Sequence, residues 1–111
     1  MLLLLLPRWG SDILIIMSQQ AQKIIEVIRP ILVKHGVTRA QLFGSIARGD
    51  DNPESDVDVL VQMPGDSTLF TRAKLYLDLK DTLLREVDLV SFNYINPLIK
   101  DSVLSNTITV I

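Results

Sequence analysis

Hydrophobic residues along the chain follow two periods, and the switches between them mark out the elements. Ile24, Ile25, Ile28, Ile31 and Leu32 recur at helical spacing, which predicts one apolar face on a helix over residues 18–34. Pro30 lies inside that span, and its missing N–H and its ring predict a kink or a split into two helices. His35-Gly36 reads as the stop, with Gly36 suited to the left-handed conformation and His35 a polar group at the helix end rather than a ligand. Residues 37–43 read as a strand that Gly44-Ser45 breaks into a short turn or helix through Arg48. After an acidic loop containing Pro53, Val57, Val59 and Val61 alternate with Asp56, Asp58 and Leu60, the period of a second strand. Pro64-Gly65 is a turn, and Asp66 or Ser67 is the expected cap of a helix whose buried stripe is Leu69, Ala73, Tyr76, Leu77, Leu83 and Leu84. Residues 86–92 form the third predicted strand, Asn96-Pro97 opens a short helix, and residues 107–111 add a last strand. This order of elements predicts an α/β (α+β) fold in which a small mixed β-sheet is flanked by helices.

The run Leu2 to Leu6 is too short to change that picture. A membrane-spanning helix needs roughly 20 apolar residues, whereas Pro7, Arg8, Trp9 and Gly10 end this run and Asp12 interrupts the next. A basic segment before it and a small-residue cleavage site after it are both missing, so it does not read as a secretory signal. Met17-Ser18-Gln19-Gln20 reads as a natural start. Residues 1–16 are then an extension outside the fold, and residues 17–111 are one domain.

Composition narrows the chemistry. The chain has 111 residues, 48% of them hydrophobic, and contains no cysteine and a single histidine. Disulfides, thiolate zinc sites, cysteine nucleophiles and multi-histidine metal centres are therefore excluded, and nothing argues for export. The net charge of −2 hides an uneven distribution, since residues 50–58 hold five carboxylates and no base. That stretch carries −5 and the remainder +3. No polyanion-binding surface is implied, so direct nucleic-acid binding is not expected.

The acidic segment contains the candidate chemistry. Asp56 and Asp58 are two apart at the start of a strand, so both project from one face while Val57 and Val59 point to the other. Like charges at that spacing call for a cation, and oxygen-only ligands favour Mg²⁺ or Mn²⁺ over zinc. Asp88 repeats the arrangement on the third strand. If the second and third strands are neighbours, three carboxylates meet, enough for two ions roughly 3.5–4 Å apart, the geometry of in-line displacement at phosphorus. Gly44-Ser45 lets the backbone approach a phosphate, the Ser45 hydroxyl can donate to it, and Arg48 adds positive charge one turn on. No GxxxxGK is present, which removes P-loop chemistry. An EF-hand counted from Asp50 fails because Ser55 and Val61 stand where glycine and glutamate are needed.

Gly44-Ser45, ten residues, then Asp56-Val57-Asp58, within Leu42 to Asp50 and Ser55 to Val61, resembles the signature of the DNA polymerase beta-like nucleotidyltransferases. The small size is similar to that of the minimal nucleotidyltransferases, the antitoxins of HEPN/MNT toxin–antitoxin pairs. The resemblance, over residues 19–111, implies metal binding by Asp56 and Asp58. It implies Asp88 as third carboxylate and base toward an acceptor hydroxyl, and Gly44 and Ser45 as the triphosphate cradle. It further implies Mg²⁺ and ATP, a HEPN-domain toxin as partner in a hetero-oligomer, AMP transfer to a tyrosine hydroxyl of that toxin, and a cytoplasmic location. Only 23 residues follow Asp88, which leads to the expectation that the helical domain of larger relatives is missing and that base selectivity and acceptor binding come from a partner chain or are weak. The rival expectations are an antitoxin that neutralises its toxin by contact alone and a nucleotidyltransferase for a small molecule. Phe92, Tyr94 and Ile95 read first as packing for the final helix and second as a partner surface.

Overall fold

The computed structural model describes residues 8–49 and 55–111, with side chains from Gln19 onward. Leu2 to Leu6 and the acidic loop at 50–54 lie outside the described residues.

The isoleucine face predicted at the amino-terminal side lies on a 27-residue helix, α1 (Arg8–Lys34), with Ile28 and Leu32 wholly buried. Helix α1 starts well before the predicted residue 18 and passes through Pro30 unbroken, so the expected split does not occur. Pro30 and Glu26, whose carbonyl loses its donor there, both lie on the exposed side, where water can satisfy the freed group. The buried stripe Ile25, Ile28 and Leu32 straddles the proline and holds both halves against the same sheet. Gly36 ends the helix at φ +80. Its N–H donates to Val33 O (3.0 Å) and that of Val37 to Leu32 O (3.0 Å), which closes the last turn.

Four strands follow: β1 (Arg39–Phe43), β2 (Val57–Gln62), β3 (Val87–Ser91) and β4 (Ile108–Thr109). The order in the sheet is β3-β2-β1-β4. Strand β2 runs antiparallel to β1 and parallel to β3, while β4 pairs antiparallel with β1, so the sheet is mixed as expected. Val57, Val59 and Val61 of β2 and Ala40 and Leu42 of β1 form one face, wholly buried against α1 and α3 (Leu69–Leu83). The short helix α2 (Gly44–Arg48) links β1 toward β2, and α4 (Lys100–Ser105) precedes β4.

Two expectations about α3 are corrected. Its cap is Thr68, not Asp66 or Ser67: the Thr71 N–H donates to Thr68 Oγ1 and the Thr68 N–H to Thr71 Oγ1 (2.7 Å), a reciprocal box. Its buried stripe is Leu75 and Leu79 with Tyr76 and Leu83 partly covered, whereas Ala73 and Leu77 are exposed and Leu69 is 85% exposed. Apolar residues are spread around this helix, so periodicity alone picks no unique face, and the pairing of Leu75 and Leu79 with the sheet decides it. Asn96-Pro97 starts a turn rather than a helix, because Asn96 Oδ1 accepts the Leu98 N–H at 2.9 Å and α4 begins only at Lys100. Residues 92–94 form a 3₁₀ turn in which Phe92 sits under the Arg39 guanidinium, 4.3 Å from its ring centre. Tyr94 points outward, 84% exposed, and so does not pack the final helix. His35 Nε2 donates to the Asp78 carboxylate of α3 at 2.9 Å, with Lys34 Nζ 3.7 Å from the same carboxylate, which ties α1 to α3. No helix among the described residues is long and apolar enough to cross a membrane.

Candidate active site

The site lies on the sheet face opposite the valines. Alternation along β2 turns Val57, Val59 and Val61 into the core and leaves Asp58 on the other side, half-buried. The parallel register pairs Asp58 with Asp88 of β3, and the antiparallel register pairs Asp58 with Phe43, the residue before Gly44. Three segments distant in sequence thus meet at one end of the sheet. Asp56 stands just before β2 and is exposed.

Gly44 carries the tightest contact. It adopts φ +70, a left-handed conformation, and a Cβ placed on it would lie 2.0 Å from Asp58 Oδ2 and 3.0 Å from its Cγ. No side chain fits there, so the glycine is required both for the turn into α2 and for the carboxylate that presses on it. Ser45, next in line, is partly exposed at the start of α2, and Arg48 is exposed at its end.

Burial, Asp88 and Asp56, in that order, push the Asp58 carboxyl up to about 6 from its usual 3.8, while Arg48 draws it down. The other three sequence-predicted charges, Asp88, Asp56 and Arg48, therefore all act on the Asp58 carboxyl. Asp58 and Asp88 are brought into register, and Asp56 is near enough to repel. Among the described residues, however, no three carboxylate, histidine or cysteine groups close into a metal-holding cluster. The donor set still fits a hard divalent cation: it is oxygen-only, it carries excess negative charge, and its central carboxylate is destabilised by its neighbours.

Two contributors escaped the sequence reading. Arg85, in the turn between α3 and β3, donates from Nε (3.1 Å) and Nη2 (2.6 Å) to the Ser55 carbonyl and so anchors the chain beside Asp56. This contact spans 30 residues of sequence, and no local pattern signalled it. Arg72 of α3 donates from Nη2 to the Leu89 carbonyl. It lines a trough of about 340 Å³ together with Leu69, Ala73, Tyr76, Val87, Asp88 and Leu89. Nothing in the sequence pattern pointed to Arg72.

Known proteins resemble this chain in sequence and in fold. The family pattern of the polymerase beta nucleotidyltransferases matches residues 22–111. A "putative protein adenylyltransferase" of Methanocaldococcus jannaschii is 42% identical over 84 residues, which cover 76% of this chain and 90% of the relative. Among solved structures, a "putative minimal nucleotidyltransferase" superposes with a TM-score of 0.70 at 33% identity, covering 81% of this chain and 92% of that one. A structure of a tri-AMPylated Shewanella oneidensis HEPN toxin in complex with an MNT antitoxin has a TM-score of 0.56 at 22% identity, covering 86% and 71% of the two chains, a likeness of fold.

Proposed function

Because the chain belongs to the polymerase beta nucleotidyltransferase family, we propose that it transfers AMP from ATP to a tyrosine hydroxyl of a HEPN-domain toxin and thereby acts as an antitoxin. The observation that carries this reading is Asp58, seated on Gly44 and in register with Asp88. A glycine that no other residue can replace, beneath a carboxylate crowded by two others, suits a triphosphate and its metal better than it suits structural packing. The named activity of the Methanocaldococcus jannaschii relative and the toxin complex formed by a chain of the same fold support the donor and the partner.

In this reading Asp56 and Asp58 hold Mg²⁺, two ions when Asp88 also contributes, with Mn²⁺ the closest substitute. The bound cation supplies neutralisation of the triphosphate charge and polarisation of the α-phosphate. Gly44 and Ser45 receive the phosphates, the first by leaving room and the second by donating its hydroxyl, and Arg48 adds positive charge. Asp88 accepts the proton of the acceptor hydroxyl. The hydroxyl oxygen forms a bond to the α-phosphorus, the bond from that phosphorus to the bridging oxygen breaks, and pyrophosphate leaves with the electron pair. Positioning and charge account for the catalysis, and no covalent enzyme intermediate is needed.

The test is incubation with α-labelled ATP, Mg²⁺ and a cognate HEPN-domain protein. Label should move to that protein, and Asp56→Ala or Asp58→Ala should abolish the transfer. Equal labelling by these variants defeats the reading. Rescue of growth by them as complete as that by the unaltered chain shows neutralisation by contact alone.

A further inference from the structure

Strand β3 is an edge of the sheet, and its backbone groups alternate in direction. The Val57 N–H donates to Glu86 O at 2.9 Å, so the groups of residues 86, 88 and 90 face β2. Those of Val87, Leu89 and Ser91 then face away from it. Arg72 confirms the direction, because its Nη2 reaches across this outer side to the Leu89 carbonyl. The trough of about 340 Å³ runs along the same side, with Val87, Asp88 and Leu89 on one wall and Leu69, Arg72, Ala73 and Tyr76 of α3 on the other.

From this geometry we infer that the outer edge of β3 is the acceptor subsite, and that it takes the acceptor as an extended peptide segment whose hydroxyl-bearing residue stands opposite Asp88 and whose flanking side chains enter the trough on the α3 side. This inference rests on the proposed transfer reaction. The Val87 carbonyl and the Leu89 N–H bracket Asp88, and together they are the pair of groups that a neighbouring strand uses to pair with the residue between them, in either direction. Arg72 occupies the next carbonyl, Leu89 O, so the ladder cannot extend freely and a single register is selected. The paired residue would have its Cα roughly 4.5–5.5 Å from that of Asp88, and its side chain would rise on the same face. That face also carries Asp58, which is in register with Asp88 on the inner side. The incoming hydroxyl thus lies beside the carboxylate that receives its proton, with the phosphate end of the site one strand further in. Leu69, at the first position of α3 and 85% exposed, supplies an apolar wall for the flanking residue of the segment.

Amide hydrogen exchange on the complex of this chain with a cognate HEPN-domain protein, together with labelling kinetics, tests the inference. Exchange at the Leu89 amide should slow at least tenfold in the complex, and Leu69→Glu should raise the KM for the acceptor protein about tenfold while the Kd for ATP stays within twofold. If the unaltered chain labels its partner while Leu89 exchange is unchanged and Leu69→Glu labels with an unaltered KM, the acceptor does not enter along β3 and the inference is overturned, with the transfer reaction standing. If the unaltered chain transfers no label at all, the reaction itself has failed, and this inference falls with it. The exchange measurement needs no variant, so a folding defect in Leu69→Glu leaves it decisive.

Discussion

The two faces of β2 place Val57, Val59 and Val61 against helices and Asp58 against charge, within a single strand of six residues. The valine face is over-determined: many apolar neighbours from α1, α3 and β1 share the burial, so each contributes a part. The aspartate face depends on a few contacts, namely one glycine without a side chain, one carboxylate in register and one arginine holding the Ser55 carbonyl. Loss of a residue on the first face should therefore cost stability and spare chemistry, and loss on the second should do the reverse.

The largest expected effect comes from the second face. Asp58→Asn should reduce AMP transfer on the order of 100-fold or more with the fold retained, as measured by label transfer alongside circular dichroism. Gly44→Ala should come close to that loss, since its Cβ would stand 2.0 Å from Asp58 Oδ2 at φ +70. Here some stability should fall too, because both the turn and the carboxylate must shift. On the first face, Leu75→Ala should lower the unfolding free energy by about 3 kcal/mol in a urea titration, with kcat per folded molecule unchanged.

A smaller effect joins the two faces through pH. Asp58 holds its proton up to about 6 in the folded chain and to 3.8 ordinarily, so the folded state binds more protons between those values. Stability contributed by this group is full below the lower value and is lost as pH rises through the upper one. In chelator, the Tm difference between Asp58→Asn and the unaltered chain should widen in favour of the variant from about pH 4 to about pH 6 and then level off. The smallest effect lies outside both faces: Leu84 is 87% exposed at φ 55, a left-handed conformation that suits glycine. Leu84→Gly should raise stability by about 1 kcal/mol without altering transfer.

How much of this could be read along the chain follows from the range of each interaction. Alternation at Val57, Val59 and Val61 and the i, i+4 rhythm of Ile24, Ile28 and Leu32 are local, and both marked the core correctly. The spacing of Gly44-Ser45 and Asp56-Val57-Asp58 likewise marked one end of the sheet, and the pairing of Asp58 with Asp88 required only that β2 and β3 be neighbours. Illegible features depend on what lies across a gap. The inner face of α3 is chosen by Leu75 and Leu79 meeting the sheet, the tolerance of Pro30 by its exposed position, and the roles of Arg72 and Arg85 by carbonyls 17 and 30 residues away.

The mixed sheet also has a history in time. Strand β1 meets β2 across fifteen residues, Phe43 to Asp58, whereas β2 meets β3 across thirty, with all of α3 between. Closing the shorter loop costs less chain entropy, so the hairpin-like half should assemble before the parallel half. The glycine–aspartate seat is then built early and Asp88 arrives with the late step, so a partly folded chain can seat Asp58 on Gly44 before the second carboxylate stands beside it.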